Sequence, residues 1–101
     1  MDIFLLPFTN TPQRFEIELS GRGYIVQCRW NAQGRYWFVD FADADTSEWL
    51  FMGLPLVAGV DILQQYRHLV QGQIFIYTDG DANAPPTFEN LGKEGNVYYL
   101  P

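Results

Sequence analysis

The segment RFEIEL, residues 14–19, alternates without a fault. Phe15, Ile17 and Leu19 fall on one side of an extended chain, and Arg14, Glu16 and Glu18 on the other. Successive side chains of a strand point to opposite faces, so this period of two predicts a strand with one dry face and one wet face. After the turn dipeptide Ser20-Gly21, GYIVQCRW (23–30) repeats the pattern, with Tyr24, Val26, Cys28 and Trp30 on one face and Gln27 and Arg29 on the other. NAQG (31–34) then separates that run from RYWFVDFAD (35–43), a spacing and composition that predict a hairpin. RYWFVDF is apolar on both faces, as expected of a central strand or of one whose outer face meets a partner.

Shorter signals continue the chain. DADTSE (43–48) predicts a polar turn, WLFM (49–52) a short strand closed by Gly53, QIFIYT (73–78) a strand and VYYLP (97–101) a last one. DIFLLP (2–7) reads as a further strand at the start. Pro55 biases Leu54 away from helix. Beyond it, Asp61 is placed to cap a two-turn helix over ILQQYRHLV (62–70), where Ile62, Leu63, Tyr66, Leu69 and Val70 recur at helical spacing and Gly72 ends the run. The expected fold is therefore one all-β domain spanning 1–101, a small antiparallel barrel or sandwich of six to eight short strands with one short helix.

At this length, area scaling gives roughly 6,000 Å² of surface for the folded chain against about 17,000 Å² for the open one, enough burial for a core without staples. Cys28 is the only cysteine, so no internal disulfide is available. MDIFLLPF lacks the basic start of a secretory signal, and Pro7 interrupts its apolar run, so synthesis in the cytoplasm is expected. No run approaches the roughly 20 apolar residues of a membrane helix. The net charge of −6 argues against binding to nucleic acid or to an anionic membrane. Aromatic residues make up 17% of the chain, which suits β structure and also interfaces.

The residues with chemical potential do not assemble into a catalytic pattern. TDGDANAPPTFENLG (78–92) begins like a calcium loop, with Asp79, Asp81 and Asn83 at alternate positions. A complete loop needs glycine at its sixth position and glutamate at its twelfth, where this chain has Ala84 and Asn90, and Pro85-Pro86 forbid the exit helix. A rigid turn is the better reading, and no metal is expected there. Of the acidic cluster Asp40, Asp43 and Asp45, two lie in the polar turn, and no His or Lys beside the three completes an acid–base site, so a solvated turn is the better reading. Cys28 alternates in register with core positions, and His68 has no triad around it and reads as a surface or contact residue. One His and one Cys fall short of a structural zinc site. No glycine-rich phosphate loop is present, so no cofactor is expected. No enzyme is indicated.

What remains is an acidic β domain with more aromatic surface than it can hide. Tyr36, Trp37, Trp49, Tyr66, Tyr77, Tyr98 and Tyr99 are candidates for contact with another protein. The order CRWN (28–31), WFVD (37–40), GLPLVAGVDILQQYRHL (53–69), IYTDGD (76–81), PTFENLG (86–92) and VYYL (97–100) resembles the baseplate plug family of contractile-tailed bacteriophages, from about Arg14 to Leu100. The resemblance implies a structural protein of the virion tail baseplate, near the tail axis among hub, tube and spike, in several copies of a symmetric assembly, with no catalytic residue to carry over. Within it, Tyr66, Arg67 and His68 on the expected helix are candidate partner contacts, with Trp49, Pro85 and Pro86 beside them, and a Tyr66/Arg67 double alanine variant is expected to fold but to impair assembly. If the domain lines the axial channel, its negative charge would keep DNA from sticking. A small carbohydrate- or peptide-binding module and a metal-dependent hydrolase using the aspartates are the rival readings.

Overall fold

The computed structural model describes residues 3–81 and 84–101. Among them are seven strands: β1 Phe4–Leu5, β2 Gln13–Leu19, β3 Arg22–Asn31, β4 Tyr36–Asp43, β5 Trp49–Pro55, β6 Gln73–Thr78 and β7 Gly95–Leu100. They form two antiparallel sheets, one of order β2-β3-β4-β5 and one of order β1-β7-β6. Each sheet keeps its own edges, so the arrangement is sandwich-like and not a closed barrel. The exposed surface, 5872 Å², agrees with the area expected from mass alone.

The alternation places the core as the sequence predicts. The dry side of β2 supplies Phe15, Ile17 and Leu19, and that of β3 supplies Tyr24, Val26, Cys28 and Trp30. Trp37, Val39 and Phe41 of β4 and Phe51 of β5 complete the inner face of the larger sheet. Ile74 and Ile76 of β6 and Val97 and Tyr99 of β7 close over them from the other sheet. The β2–β3 hairpin turns on Ser20 and Gly21, both at positive φ (52° and 81°), the conformation whose twist suits a two-residue connection. In the β3–β4 hairpin, Asn31 Oδ1 accepts the Gln33 and Gly34 N–H groups. Asp43 Oδ1 does the same for Asp45 and Thr46 at the next turn.

The fifth strand differs from expectation in a useful way. It runs through Gly53, and its pairing with β4 slips twice, between Val39/Phe41 and between Phe41/Ala42. Two residues of β5, Met52 and Gly53, oppose the single residue Asp40. Gly53 sits at φ 73°, open to glycine and costly for other residues, as in a glycine-type bulge.

The expected helix over 62–70 is not formed. The segment makes one 3-10 turn, Gln64–Tyr66, with short-range bonds from Gln64 N–H to Asp61 O and from Tyr66 N–H to Leu63 O. Asp61 acts as a local organiser instead of a helix cap. Its Oδ1 accepts the Leu63 and Ile74 N–H groups, both at 3.0 Å, and its Oδ2 accepts from Arg67 at 2.7 Å. Ile62 N–H also bonds Ile74 O, so the segment is tied to β6 from its first residue. A stretch this short gains little from helix formation by itself, and burial of Ile62, Leu63 and Val70 decides its path.

Candidate contact surface

Three surfaces stand out. The first is the outer face of the three-stranded sheet. Leu5 pairs with Tyr98, and Phe75 is opposite Tyr98 on β6, so these side chains share a face. Phe75 and Tyr98, with Ile3, Tyr77 and Leu100, line a shallow apolar hollow of about 350 Å³. Ile3 and Leu5 are each 62% exposed and Tyr77 47%.

The second is the outer face of the four-stranded sheet. Asp40, buried to 0% exposure, accepts hydrogen bonds from Arg29 at 2.8 Å, Gln27 at 3.1 Å and the Gly53 N–H at 2.7 Å. This overturns the expectation of a solvated aspartate. Asp40 points to the side opposite Val39 and Phe41, and its carboxylate fills the place where the bulge leaves a backbone N–H without a ladder partner. Nearby, Arg29 lies over the Phe38 ring and Arg14 over Trp49. Asp43 does sit in a polar turn, and the Arg22 hydrogen bond, with the Asp45 N–H behind it, holds its carboxyl below the usual range. Asp45 is exposed in that turn, as expected.

The third is a cleft of about 440 Å³ between the end of β5 and the 3-10 turn, lined by Gly53, Leu54, Val57, Val60, Asp61 and Tyr66. Val57 and Val60 are exposed there. Arg67 and His68 are exposed, as a contact role requires. Tyr66 is half-buried: its ring stacks on Phe51 at 4.4 Å, and Phe51 stacks on Phe41 at 4.9 Å. Tyr66 thus fastens the turn to the core, so a Tyr66/Arg67 double alanine variant should cost stability as well as a contact surface. Arg67 bonds Asp61, the organiser of the same turn.

Of the other candidates, Trp49 is 38% exposed and Pro85 is exposed, whereas Pro86 is buried and braces its loop from inside. Trp37 and Tyr99 are core residues, and Tyr36 and Tyr98 are half-buried. The loop after β6 is anchored by aromatic contacts. Phe88 stacks on Trp37 at 5.5 Å with Trp30 edge-on to both, and Trp37 Nε1–H donates to Thr87 O. Thr78 Oγ1 donates to Ala84 O across the loop. Asn83, a member of the supposed calcium pattern, lies outside the described residues, as does Asp2 at the start of the first expected strand. Among the described residues no three His, Cys, Asp or Glu side chains are grouped to hold a metal. None of them forms a helix long and apolar enough to cross a membrane. Sequence reasoning missed the aliphatic part of the exposed surface, Ile3, Leu5, Val57 and Val60, because an isolated apolar residue reads as core wherever a strand is expected.

Over residues 3–101 the chain matches the family described as cyanophage baseplate Pam3 plug gp18. It belongs to this family of baseplate plugs. No curated protein matches the chain. Membership in the plug family implies a structural role in a phage tail baseplate, in association with other baseplate proteins.

Proposed function

We propose that this chain is a non-catalytic component of the tail baseplate, seated near the tail axis among hub, tube and spike, present in several copies and held by protein–protein contacts. One observation supports this most: the outer face of the three-stranded sheet is apolar. An antiparallel sheet with one face in water is normally polar on that face. Here Ile3, Leu5, Phe75, Tyr77, Tyr98 and Leu100 occupy most of it, and Gln73 and Asn96 stand only at its ends. A contiguous apolar patch on a soluble domain marks an interaction site, and a baseplate neighbour is the occupant that family membership favours.

The test is an Ile3→Lys/Tyr77→Lys double variant. Both side chains are exposed, so the isolated protein should keep its melting temperature. Its recovery in purified tails should fall at least tenfold. Tails carrying normal amounts of the variant would overturn the proposal. The reading as a carbohydrate-binding module is favoured by one feature, the hollow of about 350 Å³ formed by Trp30, Arg35, Phe88 and Glu89. Specific retention of the isolated domain on a glycan array, lost in Phe88→Ala, would establish that reading.

A further inference from the structure

The two edges of the four-stranded sheet are unlike. β5 is bulged twice and carries Pro55, features that blunt an edge against pairing. β2 has neither. Its seven residues pair with β3 in unbroken register from Gln13↔Cys28 to Leu19↔Arg22, and among the described residues no strand lies on its other side. Beside it runs a groove of about 410 Å³, mostly apolar, flanked by β2 and by β1, the edge of the other sheet. Ile17 and Leu19 form one wall, with Glu18 at its rim, and Phe4, Leu5 and Leu6 form the other. Tyr99 also lines the groove, and its hydroxyl is hydrogen-bonded to Ser20 Oγ and to Gln71 O.

Charge adds a second constraint. Glu16 and Glu18 are exposed on the outer face of β2, and among the described residues neither is in an ion pair. Their cross-strand neighbours on β3 are Ile25 and Gly23, which cannot neutralise them. A strand added beside β2 would place side chains directly opposite these carboxylates on one face, and opposite Ile17 and the groove on the other.

We infer that β2 is a docking edge for an extended segment of a baseplate neighbour, in which basic side chains alternate with apolar ones. The main-chain groups of that segment continue the sheet, its apolar side chains enter the groove, and its lysines or arginines face Glu16 and Glu18. Antiparallel pairing of two β2 strands about Glu16 sets Arg14 against Glu18 but Glu16 against Glu16, and it brings together two domains of net charge −6, so a basic partner is favoured over a second copy. The inference rests on the reading of the chain as a baseplate component and says how one neighbour is held.

The experiment compares amide hydrogen exchange in the isolated protein and in purified tails, together with recovery of Glu16→Lys/Glu18→Lys in tails. Assembly should slow exchange at alternate residues of β2 at least tenfold, and the charge-reversed variant should be recovered at least tenfold less than the wild type. Protein present in tails with β2 exchange unchanged overturns the docking edge and leaves the baseplate reading standing. Absence of the wild-type protein from tails overturns the baseplate reading itself. Normal recovery of the charge-reversed variant excludes a basic partner. A dimer of the isolated protein with β2 already protected would identify a second copy as the occupant and defeat the proposal.

Discussion

At the scale of single residues, two buried polar groups carry testable consequences. The Asp40 carboxylate holds the β5 bulge through the Gly53 N–H and draws Gln27 and Arg29 over itself. Arg29 is 45% exposed, so much of its charge pairing is screened and the bond to Gly53 matters more. Asp40→Ala should lower stability by about 1.5–3 kcal/mol, the usual worth of a hydrogen bond to a charged group. Thermal unfolding would show this, and an unchanged melting temperature would mean that the bulge holds by its backbone alone. Cys28 is the other group. Burial, with the Asp40 charge behind it, raises its thiol pKa from 9.0 to about 12. Between these values the unfolded thiol has ionised while the folded one keeps its proton. Stability should therefore be intact below pH 9 and fall as pH rises through this window, by at most about 1.4 kcal/mol per pH unit. Cys28→Ala should flatten the fall in denaturant titrations, apart from the share of Tyr24, whose hydroxyl pKa burial also raises. Cys28 was legible as core from its alternation with Val26 and Trp30. Asp40 was not, because an aspartate near a polar turn looks solvated until the bulge that needs it is known.

At the scale of elements, period two read almost every strand, since each strand has one buried face and alternation records that directly. The 62–70 segment misled for the opposite reason. Its apolar spacing arises from contacts to β6 and to Phe51, and any segment touching a core at such intervals imitates a helix. The roles within it now separate. Tyr66→Ala removes a ring stacked at 4.4 Å on Phe51 and should cost about 1–3 kcal/mol in thermal unfolding. His68→Ala, at an exposed position, should leave stability within about 0.5 kcal/mol. Equal losses for the two would refute the assignment of Tyr66 as the anchor. The loop after β6 was legible as a turn. Its fastening by Phe88 was hidden, because nothing in PTFENLG says that this ring lies on Trp37.

At the scale of the whole molecule, the charge is unevenly used. Arg22, Arg29 and Arg67 are taken up by Asp43, Asp40 and Asp61. Glu16, Glu18, Asp45, Glu48, Asp79, Glu89 and Glu94 are left on the surface. The isolated protein should not be retained by duplex DNA even at low salt, and a mobility-shift titration would check this. A measurable shift would contradict a place beside the DNA path. Sheet content and acidity were legible from period and composition, and the family from the resemblance carried by segments such as IYTDGD and PTFENLG. Which sheet face stays bare depends on the pairing of strands far apart in the chain, such as β1 with β7.

The double bulge on β5 bears also on stoichiometry. Growth of a filament by edge-to-edge pairing of identical copies needs two open edges on one sheet. The four-stranded sheet has a single smooth edge, because slippage closes the other. Such a sheet can accept one added strand and then stops. This sheet is built as a terminus, and self-propagation through it is blocked.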